Sequence, residues 1–331
     1  MSFKVSPNSE ISLILQVLNK YQFCVVVDEK NNCLGTITDG DVRRSLIDNK
    51  YERDLNAIDI CQKNYKYAYD KKEAETMNKD LKFIPIIDKK NKYQSTYIRE
   101  FNNLYNEKFP LIIMAGGKGK RMQNYTKKMP KPLLKIKGRP MLEIIINKAK
   151  ADGIEKIFIS INYLGEMIKE YFKNGEKYGV SIEYIEEHQE LGTAGALKYK
   201  DLQKYKNAIV INGDVISDIN LNLLYRFHSF RNNDVTIAVK KFSIKNPFGV
   251  VNFNGFEYVG IEEKPEYLSY INSGIYVIKT NTFKLINKNE KIDMPELFHR
   301  ALNKDLKIEV YPFESKWNDV GSIEVFETLN K

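Results

Sequence analysis

The stretch LIIMAGGKGKRMQNYTKKMPKPLLKIKGRP, from Leu111 to Pro140, sets Gly116, Gly117 and Gly119 and a dense run of cations directly behind an apolar run. Glycine removes the Cβ atoms that keep a ligand off the backbone, so successive N–H groups can line up against a polyphosphate. Arg121 offers a planar fork to phosphate oxygens, and Lys131 a compact charge on a long stem. Two common phosphate motifs fail here. A Walker loop needs Ser or Thr after Gly-Lys, where Arg121 stands, and the dinucleotide fingerprint needs a third glycine that is missing. Farther along, AIVINGD ends in Asp214. A carboxylate at a strand's carboxyl end, above a phosphate loop, is placed to hold a hard cation.

The elements that must position these residues can be read from periodicity. Apolar runs in FPLIIMA, KIFISIN, SIEYIEE, AIVINGD, VTIAVKK and SGIYVIK predict strands. Between the first of them, PMLEIIINKAKADG predicts a helix, with Leu142, Ile145, Ile146 and Ala149 at helical spacing and Gly153 as its C-terminal stop. Strands alternating with helices predict a Rossmann-like α/β fold, with a mostly parallel sheet covered on both faces and ligands bound at the strands' carboxyl ends. The glycine loop begins at such an end.

With 331 residues, the chain has room for two domains. No apolar run approaches the roughly 20 residues that span a membrane, and MSFKVSPNSE lacks the apolar core of a signal peptide, so a cytoplasmic protein without a membrane partner is expected. The net charge of +9 is spread among 43 acids with no basic tract or aromatic-interleaved stripe, and no nucleic-acid partner is expected. Cys24, Cys33 and Cys61 fit neither a zinc knuckle nor a disulfide framework and read as reduced thiols.

The run MAGGKGKRMQNYTKKMPKPLLKIKGRPMLE resembles the signature of the sugar-phosphate nucleotidylyltransferases, which make NDP-sugars from a nucleoside triphosphate and a sugar 1-phosphate. A Gly-Gly-x-Gly-x-Arg loop, Pro130-Lys131-Pro132 and Gly138-x-Pro140 recur in order, and further matches run to WNDVGS. The resemblance implies a GT-A-like nucleotidyltransferase domain over residues 107–331, with nucleotide contacts at Ala115, Gly116, Gly117, Gly119 and Glu187. It also implies base contacts from ELGTAGAL, through Gly192, Thr193 and Gly195, although Thr193 reads equally as the N-cap of AGALKY. Magnesium ligation by Asp214 and by Asp319 of WNDVGS is implied in the same way; read alone, Asp319 is a turn acid ahead of a helix capped by Ser322. NPFGVV and IEEKP match the family's sugar pocket, with Gly249 contacting through its backbone, Glu263 accepting from a hydroxyl and Lys264 meeting the sugar phosphate. Asn272, read as the start of a strand, and Asn162 complete that pocket.

In such a reaction the sugar phosphate already carries an anionic oxygen, so attack on the α-phosphorus needs no nucleophilic side chain and no general base. It needs in-line placement and cancellation of charge, the roles expected of Arg121, Lys131, Lys264 and Mg2+. The three histidines, His188, His228 and His299, are sparse enough to agree.

Residues 1–106 have a different character. An apolar helix-like stretch (Ile11, Leu15, Leu18) precedes a strand from Phe23 to Val27, a turn from Asp28 to Asn32, a second strand, CLGTIT, and a helix, DVRRSLI, with Asp41 as its N-cap. A similar unit begins near Ala57, where FIPIID repeats the role of FCVVVD at a spacing of about 60 residues. VVVDEKNNCLGTITDGDVRRSL resembles the CBS-domain pair, a smaller α+β module, and implies that Thr38 and Asp39 contact a regulatory adenine nucleotide. In the second half NKYQSTYI departs from that pattern, which leaves a packing or dimerising module as the other reading. A homo-oligomer, through this pair or the catalytic domain, is expected. REFNNLYNEKF reads as a linker or short helix, with the boundary near residue 106.

A CBS pair ahead of this catalytic domain, without a C-terminal hexapeptide-repeat acyltransferase, most resembles the glucosamine 1-phosphate guanylyltransferases of bacterial legionaminic acid biosynthesis. That implies GTP and α-D-glucosamine 1-phosphate as substrates. A mannose- or heptose-1-phosphate guanylyltransferase is one alternative, and a catalytically inactive nucleotide-sensing regulator another. Retention of Arg121, Lys131, Asp214, Lys264 and Asp319 speaks against the last.

Overall fold

A computed structural model describes residues 3–21, 23–47, 55–78, 81–99 and 108–331. The segment expected to link two domains, REFNNLYNEKF, lies largely outside the described residues. The chain divides into two compact units, residues 1–107 and 108–331.

The first unit contains two copies of one hairpin. Phe23–Val27 pairs antiparallel with Cys33–Thr38, and Phe83–Ile87 with Tyr93–Ile98. Each has its register shift at the same place, Val26/Val27 and Ile86/Ile87. Their turns match atom for atom: Asp28 Oδ1 accepts from the Asn32 N–H at 2.7 Å, and Asp88 Oδ1 from the Lys92 N–H at 2.9 Å. Asn31 and Asn91 take positive φ, 63° and 61°, a conformation asparagine tolerates better than most side chains. The two turns then clasp each other. Asn31 Nδ2 donates to the Tyr93 carbonyl at 2.7 Å and Asn91 Nδ2 to the Cys33 carbonyl at 2.9 Å, while the Phe23 and Phe83 rings stack at 5.2 Å. The reciprocity is that of a local two-fold axis.

Two local readings change. The helix begins at Asp39, so Thr38 occupies the cap position and Asp41 is the third helical residue. Asp41 Oδ2 reaches back to accept from the Thr38 N–H at 2.8 Å and its hydroxyl at 2.6 Å, the returning half of a capping box. Asp39 in turn accepts from Arg43 Nε and Nη2 at 2.6 and 2.7 Å. Both residues expected to meet a nucleotide are thus engaged within the helix's own first turns.

The second unit is built on a seven-stranded sheet. Its spatial order is Ser181–Glu186, Lys156–Ile161, Leu111–Met114, Asn207–Asn212, Glu266–Lys279, Val235–Lys245, Ile308–Phe313. All neighbours are parallel except Glu266–Lys279, which is antiparallel to both strands beside it. That strand follows Val235–Lys245 through a hairpin arm, Val250–Asn254 paired with Glu257–Glu262, and a hairpin connection reverses chain direction. Asn272 falls in the middle of this 14-residue strand and not at its start, opposite Val239 at a register shift, because the strand continues beyond the sheet into the arm.

Alternation along each central strand fills both faces. Leu111, Ile113, Ile157, Ile159, Ile209 and Ile211 join one buried cluster with the Met141–Ala151, Gly165–Phe172 and Leu221–Arg231 helices. Ile112, Phe158, Ala208 and Val210 join another, with the Met294–Leu302 helix. Burying a large apolar side chain contributes about 1.5–3 kcal/mol, which makes these strands the rigid frame of the unit. Gly153 ends the first helix as expected, with φ of +79°: its N–H donates to the Lys150 carbonyl at 2.9 Å, and the Ile154 N–H to Ala149 at 2.9 Å.

A polar group is buried behind this frame. His228 Nδ1 lies 2.9 Å from Thr236 Oγ1 and Nε2 lies 3.3 Å from Asn207 Oδ1. Burial, helped by the Lys279 charge, pulls its pKa down to about 3, so the folded chain keeps it neutral. The unfolded chain takes up that proton near pH 6.5, so stability falls as pH is lowered from about 6.5 toward 3. The loss is limited to about 1.4 kcal/mol per pH unit for this one group. Urea midpoints at pH 7, 5.5 and 4.5 should therefore decline less steeply for His228→Gln than for the unaltered chain.

Candidate active site

A cleft of about 480 Å³ opens at the carboxyl ends of Leu111–Met114 and Asn207–Asn212. These strands are parallel neighbours, so the segments that follow them meet. The Gly213 N–H donates to the Met114 carbonyl at 2.9 Å, and a Cβ on Gly213 would lie 2.9 Å from that same oxygen. Glycine is the residue that allows this approach. Ala115, Gly116, Gly117 and Gly119 then run along the cleft wall. Gly119, at φ +60°, packs under Thr126, whose hydroxyl donates to the Gly119 carbonyl at 3.1 Å.

Two acids that are far apart in sequence come together here. Val215–Ser217 and Trp317–Asp319 form a short antiparallel ribbon in which Val215 faces Asp319, and the Val320 N–H donates to the Asp214 carbonyl at 2.9 Å. Trp317 Nε1, donating to the Ser273 carbonyl at 2.8 Å, ties the ribbon to the sheet. Burial and the neighbouring Asp214 charge push the Asp319 pKa up, while Lys131 and Arg121 oppose the shift. Pro130 and Pro132 fix the short helical turn that carries Lys131, and its Nζ meets Asp214 Oδ2 at 2.5 Å. The Lys131 side chain is 10% exposed and that of Asp214 26%. Arg121 Nη1 and Nη2 sit against Gly321, beside Asp319.

The wall opposite the glycine loop is clamped to another segment. A Cβ on Gly192, at φ +74°, would lie 2.6 Å from the Ile292 carbonyl, and one on Gly195 would lie 2.5 Å from that of Glu290. Thr193 does not cap its own short helix. Its hydroxyl donates to Asp293 Oδ1 at 3.1 Å and accepts from the Met294 N–H at 2.9 Å, which starts a different helix. Glu187 stands at the inner end of this wall, accepting from the Ser160 hydroxyl and, at 3.2 Å, from the Leu191 N–H. Burial pushes its pKa up, partly offset by those hydrogen bonds.

The nucleotide and metal candidates thus share one cleft: Ala115, Gly116, Gly117, Gly119, Arg121, Lys131, Glu187, Gly192, Thr193, Asp214 and Asp319 all line it. The sugar candidates are not among its lining residues. Asn162 abuts Gly116 but gives its amide to the Glu187 carbonyl at 2.7 Å, and Asn272 Oδ1 accepts from Gly274 N–H at 3.0 Å. Gly249 and Glu263 meet on the arm, where Lys264 takes a positive φ of 49°. Sequence reasoning passed over Lys118, Lys120, Glu190 and Lys291, which also line the cleft. Lys118 Nζ pairs with Glu190 at 2.8 Å, and Lys291 Nζ approaches the same carboxylate at 3.7 Å. Lys118 and Lys120 were legible as part of the cationic run. Lys291 had no signal, since its segment reaches the cleft through contacts between residues a hundred positions apart: the Thr193–Asp293 clasp, and backbone bonds from the Ile292 N–H to the Leu191 carbonyl and from the Ala194 N–H to the Ile292 carbonyl, both at 3.0 Å.

Five cations and four carboxylates in one open cleft suit an anionic substrate accompanied by a divalent cation. Comparison with known proteins agrees. Residues 111–331 match the family described as nucleotidyl transferase. Over 213 residues the chain is 34% identical to a D-glycero-alpha-D-manno-heptose 1-phosphate guanylyltransferase of Campylobacter jejuni, an alignment covering 63% of this chain and 93% of that protein. It is 32% identical over 222 residues to a mannose-1-phosphate guanylyltransferase of Mycobacterium tuberculosis, covering 65% of this chain and 62% of the other. In fold it resembles HddC from Yersinia pseudotuberculosis complexed with GMP-PN, with a TM-score of 0.52 at 22% identity, covering 67% of this chain and 98% of that one. The chain therefore belongs to the nucleotidyl transferase family and is an enzyme of nucleotidyl transfer.

Proposed function

We propose that the chain is a sugar-1-phosphate guanylyltransferase. An oxygen of the sugar phosphate attacks the α-phosphorus of GTP, the bond to the β-phosphate breaks, and diphosphate leaves with the GDP-sugar as the other product. The observation that carries the choice of base is the Glu187 carboxylate at the inner end of the cleft. Guanine presents two adjacent donors, N1–H and the 2-amino group, which a carboxylate can accept together. Uracil and thymine present one donor between two carbonyls, which a carboxylate repels. A site built on such a pairing rejects a base that leaves it unpaired. The heptose and mannose guanylyltransferases similar to this chain support the same base.

For the sugar, the reading is α-D-glucosamine 1-phosphate, giving GDP-glucosamine of legionaminic acid biosynthesis. The names of the relatives favour heptose or mannose 1-phosphate as the second reading. The backbone N–H groups of Ala115, Gly116, Gly117 and Gly119, with Arg121 and Lys131, hold the triphosphate, while Gly192 and Thr193 border the base. Asn162, Gly249, Glu263, Lys264 and Asn272 are assigned to the sugar phosphate. Catalysis is then placement and charge cancellation.

Asp214 and Asp319 fit a magnesium ion. They are two carboxylates brought side by side, one with its pKa raised by burial and by the other, and among the described residues no group of three or more His, Cys, Asp or Glu could hold a metal. That sparse donor set suits an ion that completes its shell with phosphate oxygens and water. When bound, the ion supplies neutralisation of phosphate charge. For residues 1–106 the reading is a CBS pair, supported by the two-fold-related hairpins, with Thr38 and Asp39 as the contacts of a regulatory nucleotide or with dimerisation as its role.

Diphosphate release measured with ATP, CTP, GTP, UTP and dTTP, against glucosamine, mannose and heptose 1-phosphates, tests this directly. GTP should exceed the others in kcat/KM by about tenfold or more with one of the sugars. A preference for UTP or dTTP overturns the reading. Glu187→Gln should erase most of the GTP advantage, and because the pKa of Glu187 is raised, KM for GTP should rise with falling pH before ordinary carboxylates protonate. Asp214→Asn should abolish most turnover while keeping the folded circular dichroism spectrum; near-normal turnover removes the metal assignment. Lys131→Ala should cost far more activity than the exposed Lys135→Ala, and equal losses mean that the loop is misassigned.

A further inference from the structure

The hairpin arm of the second unit carries an apolar surface that no other described element of that unit covers. Along Val250–Asn254, Val251 and Phe253 alternate with Asn252 and Asn254, and they pair with Ile261 and Tyr258 on either side of a register shift in Glu257–Glu262. An ordinary surface ribbon buries its apolar face; here Val251, Ile261, Phe253 and Tyr258 are 48%, 58%, 69% and 63% exposed. At the root of the arm, Phe242, Ile244 and Tyr267 share a face of the ribbon formed by Val235–Lys245 and Glu266–Lys279, and are 47%, 56% and 48% exposed. An isolated two-stranded hairpin is marginal in water and needs packing against something.

We propose that this arm is an interface between two copies of the chain. Three observations choose a second copy over a different partner. First, residues 240–266 carry four lysines (Lys240, Lys241, Lys245, Lys264) and four glutamates (Glu257, Glu262, Glu263, Glu266), so the surface is neutral within a chain of net charge +9. An interface that meets its own image cannot be strongly one-signed without repelling itself, whereas a surface for a charged partner would carry an excess. Second, the exposed apolar side chains come from both strands of the ribbon and are large, and an isologous contact uses one such patch on each subunit. Third, the exposed area of these seven residues is roughly 800 Å² per chain, the amount a standard stable interface buries on each partner. The arm also holds Gly249, Glu263 and Lys264, so pairing would fix the position of the residues assigned to the sugar phosphate.

Sedimentation equilibrium of the full chain between about 1 and 100 µM tests the proposal, over the range in which such interfaces form. The unaltered chain should have at least twice the 38.6 kDa chain mass. Phe253→Asp combined with Ile261→Asp should halve the observed mass, with circular dichroism unchanged because both side chains are exposed. Should that variant lose its circular dichroism, Val251→Lys in the same patch repeats the measurement. An unaltered chain of 38.6 kDa at 100 µM overturns the proposal, as does an arm variant that folds and keeps the mass of the unaltered chain.

Discussion

The ion pair between Lys131 and Asp214 is the contact on which the cleft depends. A cleft for a triphosphate must gather cations, and a divalent site must gather carboxylates; either set alone would repel itself. At 2.5 Å, with the lysine nearly buried, the pair lets both sets coexist. Removing one partner of a fully buried pair costs about 3–5 kcal/mol, and less where a quarter of the carboxylate is open to water, as in Asp214. Asp319 feels the same balance: burial and then Asp214 push its pKa up, and Lys131 and Arg121 pull it down. Charge in this cleft is therefore shared among residues from four separate segments.

Geometry is held by equally local devices. The wall bearing Gly192 and Gly195 lies so close to the 290–293 backbone that any side chain there would strike a carbonyl, and the Thr193–Asp293 clasp locks the two segments together. Glycine in this loop thus has two roles, one toward its neighbour inside the protein and one toward a ligand. Gly117 illustrates the other role, since an added Cβ there would meet nothing within 4 Å. Packing does not require its bareness.

The arm differs in kind from the frame that carries it. Strands at the sheet's centre are buried on both faces, whereas the arm is exposed on both and bears part of the expected sugar pocket. On the proposed assignment, a rigid cleft beside a less supported arm separates two tasks: holding the triphosphate and admitting the sugar phosphate. Elements with few buried contacts are those that rearrange at least cost.

The glycine loop, the Pro-Lys-Pro turn, the alternating strands and the 60-residue repeat were legible in the sequence because each is a local pattern, set by backbone freedom, ring constraint or side-chain period. Local chemistry also misled where two local solutions compete: Asp41 looked like a cap but reaches back to Thr38 from the third helical position, and Thr193 caps a helix a hundred residues away. Asn272 reads as the start of the strand INSGIYV, yet the strand already runs through it from the arm. What the sequence by itself determined was the class of chemistry and the sheet that presents it. Only the tertiary structure decided that Asp214 and Asp319 share a ribbon, that Lys291 reaches the cleft, and that the arm's apolar surface is left bare. Those facts depend on pairing between distant segments, and no short-range pattern records which distant segment a strand or loop will meet.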